Sequence, residues 1–411
     1  MKKITTLLVF ILTFICYNQR AFATGPNDKK DHGDDPVEAM MHHLGDANEF
    51  HIVGDISVPL PCIAWSDDGF LFTLSSSFDH GHKAVNGYVL HHGIMMRVLG
   101  DFPRDKTVDV AFVDAAAHEE HAEGEHAHGD KEEHAHDTKE EAAHGPMIKF
   151  GDKTYALEAC MSLQNTSSTW QDFSISKNVF AMLLAFIVLM IVFSRISKAY
   201  VTREKEAPKG LQSFMEPLIV FMRDEVVRPA IGEKDWKRFF PFVMCLFFFI
   251  LFCNLMGLIP FFPGSANVTG NVGVTIVLAL FVFIMVNING TKDYWMHILW
   301  MPGVPTAIKP LLTIIELMSL FIKPATLFIR LFANITAGHV IILSLVSLIF
   351  FFNNSFGTGG AVAGMTLSIP FVFAMNLLEL FVAFLQAFVF ALLTSLYLGS
   401  ALETHDHEHA H

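Results

Sequence analysis

Basic residues are scarce in this chain. Lys and Arg number 28 against 41 Asp and Glu, so the formal net charge of the 411 residues is −13. Nucleic-acid-binding proteins carry basic patches that neutralise phosphates, and this balance therefore argues against a nucleic-acid partner. Most of the acidic residues and most of the histidines lie before about residue 170, so the negative charge belongs to the first part of the chain.

A nucleotide-binding motif is also lacking. The stretch GGAVAGMT, Gly359 to Thr366, has the glycine spacing of a Walker A loop. Met365, however, stands where that loop needs a lysine to hold phosphate. We therefore expect no nucleotide site and no bound cofactor in this chain.

The first residues, MKKITTLLVFILTFICYNQRAFA, have the pattern of a secretory signal peptide. Lys2 and Lys3 precede an apolar core at about residues 7–15, and Ala21 and Ala23 suit a cleavage site. The alternative, an N-terminal membrane anchor, would need a longer apolar core. We predict that residues 1–23 are removed and that the mature N-terminus lies outside the cytoplasm.

Residues 24–172 are predicted to form a small β-rich exported domain. Runs such as EFHIVGDISVPLPCIAW and GFLFTLSSSF are short, β-like and broken by Pro, Gly and Asp. The chain has only five cysteines. Cys62 and Cys160 both lie in this domain, where an exported protein can keep a disulfide, so a bond between them is a hypothesis.

A His- and Glu-rich insert at about residues 115–145 is too polar to bury a core, and we expect it to be disordered. Spacings such as His118-x-x-His121 permit metal binding but form no closed four-ligand site. A solvated loop without a dedicated metal, weak metal buffering, and collection of protons all fit these residues. The tail at residues 404–411, THDHEHAH, is also rich in histidine.

Residues 173–403 are predicted to form an all-α polytopic membrane domain. Basic residues crowd the C-terminal side of the first span, NVFAMLLAFIVLMIVFSRISKAY, which places that side in the cytoplasm and agrees with an exported N-terminus. An amphipathic stretch, LQSFMEPLIVFMRDEVVRPAI, is expected at the cytoplasmic interface. Further apolar runs lie at about residues 237–261, 269–288, 308–352 and 366–402.

The last two apolar runs are too long for perpendicular spans. A helix of about forty residues is about 60 Å long, roughly twice the hydrocarbon thickness of a bilayer. Such helices must tilt strongly, lie across the membrane or break. Strong tilt suits a structure that wraps around a partner.

An arginine interrupts the run at 308–352, although a guanidinium costs about 3 kcal/mol or more at bilayer depth. At 100° per residue, Thr326 and Asn334 share the face of Arg330, with Lys323 and Glu316 close to it. These five residues form a polar stripe. No acid lies three or four residues from Arg330, so another helix, another subunit or water must meet its charge.

His339 falls on the opposite face of the same helix, and Glu379 shares a face with Gln386 in the last run. His339 and Glu379 can change protonation, so a proton can pass between them if they lie close together. Arg330 can act only as a fixed charge. For Asn334 and Gln386 a structural role, tying helices together by hydrogen bonds, stays open.

These residues carry a family resemblance. KPATLFIRLFANITAGH, preceded by IIELMS and followed by NLLELFVAFLQAFVFALLTSLYL, resembles subunit a of the rotary proton-translocating ATP synthase. CNLMGLIP and SISKNVFAMLL are similar to two further blocks of that family. The resemblance covers about residues 173–403, and the histidine-rich exported domain lies outside it.

The resemblance implies five or six membrane helices, two of them long and strongly tilted against a rotating ring of c subunits. It also implies a b-subunit stator stalk, other ATP synthase subunits and membrane lipids as partners. The expected location is the cell inner membrane, with several spans and a periplasmic N-terminal domain. The implied catalysis is ion transfer coupled to rotation, whereas the ATP chemistry belongs to other subunits.

The motif match also implies roles for single residues. Arg330 corresponds to the essential arginine, which ionises the arriving ring carboxylate and blocks a direct leak between two proton half-channels. His339 and Glu379 stand where many bacterial relatives have Glu and then His, and we predict that they adjoin as a relay pair in the half-channel on the exported side. Further polar half-channel positions match Glu316, Asn334, Gln386 and Asn254.

Two other functions stay open at this point. A His-rich metal ion transporter would need histidines and acids repeated in the spans at metal-ligand spacing, but the spans offer essentially only His339 and Glu379. A purely structural stator anchor would tolerate replacement of Arg330.

Overall fold

In the computed structural model, two compact units divide between Lys177 and Asn178. The structure describes residues 46–53, 56–67, 69–91, 93–113, 146–151, 153–160, 170–202, 206–259, 264, 266–301, 304–306 and 308–403. The predicted signal peptide, the insert at 115–145 and the tail at 404–411 lie outside these ranges.

The first unit is β-rich, as the sequence predicts, and every strand pairing is antiparallel. A seven-stranded sheet has the order β8-β5-β6-β7-β11-β10-β9, a three-stranded sheet has the order β12-β3-β4, and β1 pairs with β2. The strands are β1 Glu49–Val53, β2 Ile56–Pro59, β3 Pro61–Ser66, β4 Gly69–Leu74, β5 Lys83–Val85, β6 Tyr88–His91, β7 Ile94–Val98, β8 Thr107–Asp109, β9 Ala111–Val113, β10 Met147–Phe150, β11 Lys153–Ala159 and β12 Trp170–Asp172.

Alternating side chains of these strands form the core of the unit. One cluster surrounds Trp170, whose ring meets that of Tyr88 edge-on at 5.2 Å between centroids. Such an edge-to-face pair stabilises the fold by about 0.5–1.5 kcal/mol beyond the effect of burying its apolar area. Cys62 belongs to the same cluster and Cys160 packs against it. Both cysteines are thiols in the structure, so the hypothesised disulfide is absent although the two residues share one cluster.

The second unit is helical. Its helices are α1 Lys177–Thr202, α2 Leu211–Phe221, α3 Arg228–Ile231, α4 Trp236–Gly257, α5 Val272–Asn289, α6 Lys292–Leu299 and α7 Lys309–Leu402, with a π-helical segment Met222–Val227 between α2 and α3. Within the described residues, α1, α4, α5 and α7 are long and apolar enough to cross a membrane. Side-chain caps fix where two helices begin, because Asn271 accepts the N–H of Gly273 and Thr291 that of Tyr294.

Helix α7 has 94 residues and breaks at Gly357, which has φ 65° and ψ −154°. Only glycine adopts this conformation readily, because it has no Cβ. The chain reverses there: Gly364 packs against Ile349 near the break, and Lys323 lies 5.6 Å from the ring centroid of Tyr397 further from it. Residues 309–356 and 358–402 are therefore two antiparallel arms, which we call the first arm and the second arm.

Each arm buries one helical face. The first arm buries Leu327, Leu331 and Ile335 at helical spacing. The buried stripe of the second arm consists mainly of small side chains, which let neighbouring backbones approach closely. A Cβ on Gly399 would lie 1.9 Å from the carbonyl oxygen of Ala230, so α3 packs directly on the end of this arm.

Candidate functional site

A histidine and a glutamate meet between the two arms of α7. Nδ1 of His339, on the first arm, contacts Oε1 of Glu379 on the second arm. Glu379 is only 3% exposed. Gly338 makes room for this carboxylate, since a Cβ there would lie 2.9 Å from Oε1. A Cβ on Gly257 of α4 would lie 4.0 Å from Nε2 of His339, so the pair lies where three helix segments meet.

A second polar contact lies one helical turn away. Asn254 of α4 is buried, and its Nδ2 donates to the carbonyl oxygen of Ala383 at 3.0 Å. Its Oδ1 accepts from Oγ1 of Thr269 at 2.6 Å. Because Asn254 precedes Gly257 by three residues and Ala383 follows Glu379 by four, both contacts lie along the same seam between α4 and the second arm.

Further polar groups are buried near this seam. Gln386 is buried three residues beyond Ala383. Thr336 precedes His339 by three residues, and its Oγ1 is buried without a hydrogen bond to any described residue. Buried hydroxyls in native proteins are nearly always hydrogen-bonded, to protein or to water. Neither Thr269 nor Thr336 lies in a periodic polar pattern, so the sequence alone does not identify them.

Arg330 lies on the outer surface of the first arm. It is exposed together with Thr326 and Asn334, whereas Leu327 and Leu331 point into the unit. In the part of the chain that the structure describes, no carboxylate forms an ion pair with Arg330. The helical periodicity therefore correctly separated Arg330 from His339, and the structure places the two residues on different faces.

The arginine lies on an apolar face. Ile322 and Ile329 are 51% and 52% exposed, beside the polar residues of the same arm. A large exposed apolar surface marks an interaction site or contact with lipid. The face therefore presents the permanent positive charge of Arg330 on the polar stripe, between exposed hydrophobic side chains.

The remaining stripe residues lie closer to other parts of the helical unit. Glu316 is half-buried, and its charge acts on Tyr294 of α6. Burial first and this negative charge second raise the pKa of Tyr294. Among the described residues, no three His, Cys, Asp or Glu side chains are arranged to hold a metal ion.

Comparisons with known proteins separate the two parts of the chain. A family model described as "ATP synthase A chain" matches residues 179–399, and one described as a domain of unknown function (DUF8433) matches residues 39–149. ATP synthase subunit a of Anaeromyxobacter sp. (strain Fw109-5) is 40% identical over 249 residues, covering 58% of this chain and 57% of the relative.

Two more relatives give the same result. ATP synthase subunit a of Anaeromyxobacter dehalogenans (strain 2CP-C) is 40% identical over 248 residues, covering 58% of this chain and 61% of the relative. For ATP synthase subunit a of Chlorobium phaeobacteroides (strain BS1), the identity is 40% over 248 residues, with 58% and 70% covered. The chain thus spans less than two thirds of the length of the two Anaeromyxobacter relatives.

Proposed function

The chain belongs to the ATP synthase A chain family, and we propose that it is the stator subunit a of a proton-translocating ATP synthase. In this proposal it provides two proton half-channels beside a ring of c subunits and couples proton flow to rotation of that ring. The b-subunit stalk and the other subunits of the complex are its further partners. The observation that carries the proposal is the separation of Arg330, on an exposed apolar face, from the His339–Glu379 pair on the opposite side.

The exposed face of the first arm is the proposed contact with the ring. A guanidinium in an apolar surface needs a counter-charge, and no described residue supplies one. A ring carboxylate that passes Arg330 would supply it. The fixed positive charge lowers the pKa of that carboxylate, so the proton leaves. Because Arg330 cannot accept a proton itself, it also blocks direct flow between the half-channels.

The His339–Glu379 pair is the proposed relay of one half-channel. Each side chain can bind and release a proton, and their contact permits transfer without large movement. Asn254, Thr269 and Thr336 extend the buried polar groups along the same region. Buried waters bridge groups of this kind, so we propose a hydrated path along the seam, with Gln386, Asn334 and Glu316 as further polar positions.

The proposed topology follows from the basic residues after α1. By the positive-inside rule, the C-terminal end of α1 faces the cytoplasm and the β-rich unit lies in the periplasm. The arms of α7 have 48 and 45 residues and are about 72 and 68 Å long, so we propose that both arms tilt strongly in the inner membrane. With the break at Gly357, the described part of the chain then supplies five membrane helices.

The test is replacement of Arg330 in the assembled complex. We expect Arg330→Ala and Arg330→Gln to abolish ATP-driven proton pumping into inverted membrane vesicles while the subunits still assemble. Arg238→Gln is the matched control, since Arg238 is an exposed arginine that donates to Asn289 away from the first arm. Full pumping by either Arg330 variant would disprove the gate and support a structural anchor instead.

A further inference from the structure

The three-stranded sheet β12-β3-β4 has apolar side chains on both faces. Alternate residues Cys62, Ala64 and Leu71 are buried in the core, as expected for one face of an antiparallel sheet. The other face should then be polar. Instead it carries Trp65, Phe70, Phe72 and Leu74, which we call the aromatic patch.

The aromatic patch is continuous and exposed. Trp65, Phe70 and Phe72 are 63–64% exposed. Trp65 pairs with Phe70 across the two strands, and their ring centroids lie 6.4 Å apart. Phe72 pairs with Ile63 in the same register. Monomeric soluble proteins rarely expose contiguous apolar side chains in this way without a binding function.

The chain connection limits what can cover the patch. The backbone N–H groups of Phe173 and Ile175 donate to the carbonyl oxygens of Ile63 and Pro61, so the chain runs alongside β3 after β12 ends. α1, a candidate membrane span, begins at Lys177. Phe173 lies beside β3 and precedes Lys177 by four residues. Four residues span at most about 14 Å, so this edge of the three-stranded sheet lies close to the start of α1.

We propose that the aromatic patch inserts into the lipid headgroup region of the membrane surface from which α1 enters. Trp and Phe are the side chains that favour this depth, since their rings are apolar and rigid. The exported part of the chain is strongly acidic, which rules out attraction to anionic headgroups as the driving force. The contact is therefore hydrophobic and insensitive to salt. This proposal uses the proposed topology only to say which membrane leaflet the patch contacts. It does not depend on proton conduction.

Photocrosslinking in the whole complex tests this contact. A benzoylphenylalanine at Phe72 of the full chain, in native membranes, should give lipid adducts detected by mass spectrometry. The same group at Thr107, an exposed position of β8 in the other sheet, is the matched control and should give several-fold fewer. Adducts from position 72 to another protein or to a second copy, or no enrichment of lipid over the control, would overturn the proposal.

A second variant checks that the patch itself holds the contact. With the photoreactive group at Trp65, the double substitution Phe70→Thr and Phe72→Thr should lower the lipid adducts several-fold at both low and high salt. Both side chains are exposed and threonine suits a strand, so the sheet should persist. Unchanged adducts would show that the patch does not hold the domain on lipid. Proton pumping is measured in parallel. Loss of pumping in the Arg330 variants would not change the expected yield of lipid adducts, so the two proposals can fail separately.

Discussion

Nδ1 of His339 contacts Oε1 of Glu379 across the two arms of α7. Residues so far apart in the chain meet because the arms are antiparallel and because Gly338 leaves space for the carboxylate. The contact couples two groups that can each hold a proton, on the side of the first arm away from Arg330. One short stretch of helix can therefore hold both a proton path and a fixed charge, because the Glu379 carboxylate does not pair with the Arg330 guanidinium.

Removal of the Glu379 carboxylate, the proposed relay group, should reduce proton flow while leaving the packing intact. Glu379→Gln keeps the size of the side chain but cannot ionise, so we expect ATP-driven pumping in inverted vesicles to fall at least about tenfold. The exchanged pair His339→Glu with Glu379→His keeps both titratable groups in contact and should pump better than either single exchange. An exchanged pair no better than the single variants would contradict a direct relay. Immunoblots of the purified complex check assembly.

Gly338 provides a test of geometry without a change of charge. A Cβ at this position would lie 2.9 Å from Oε1 and 3.2 Å from Cδ of Glu379, so Gly338→Ala must displace the carboxylate from His339. We expect pumping to fall several-fold. Gly359→Ala is the matched control, because a Cβ there meets nothing within 4 Å and alanine favours helix. Equal pumping by the two variants would show that the position of the Glu379 carboxylate does not matter.

The sequence predicted the helical elements better than their contacts. Apolar length located α4 and α5 to within a few residues, and the helical period placed Arg330 and His339 on different faces. The gap between the apolar runs at 308–352 and 366–402 contains the break, but its position at Gly357 was not predicted, because a single residue with positive φ leaves no periodic signal. In the β-rich unit, short runs indicated strands, but the pairing of β12 with β3 depends on contacts between residues about a hundred positions apart.

Asn254 should contribute to the stability of the helical unit. Asn254→Leu keeps the volume but leaves the Oγ1 of Thr269 without its acceptor, at a cost of about 1–3 kcal/mol. We expect a lower thermal midpoint for the purified complex in detergent, with dissociation of the subunit followed by native electrophoresis. Asn376→Leu is the control, since Asn376 is exposed and, among the residues that the structure describes, donates only to Val372 of its own helix. Equal midpoints for the two variants would exclude a structural role for the Asn254 hydrogen bonds.

Glu158 should make the stability of the β-rich unit depend on pH. Burial raises the pKa of Glu158 above its ordinary value, and the charge of Arg97 on the facing strand offsets this only in part. An acid with a raised folded-state pKa favours its neutral form in the fold. Its contribution is therefore fully present below the ordinary glutamate pKa of about 4.3 and is lost as pH rises through the folded-state value.

Replacement of Glu158 by Gln should remove this loss. At pH 7 we expect slower hydrogen exchange of the β7 and β11 amides in the Glu158→Gln full chain than in the unmodified chain, and equal exchange near pH 4. Comparison of the two proteins at each pH cancels the intrinsic pH dependence of exchange. Faster exchange of the variant at pH 7 would mean that the attraction between Glu158 and Arg97 outweighs the desolvation of the carboxylate. The pKa of Glu158 would then lie below its ordinary value.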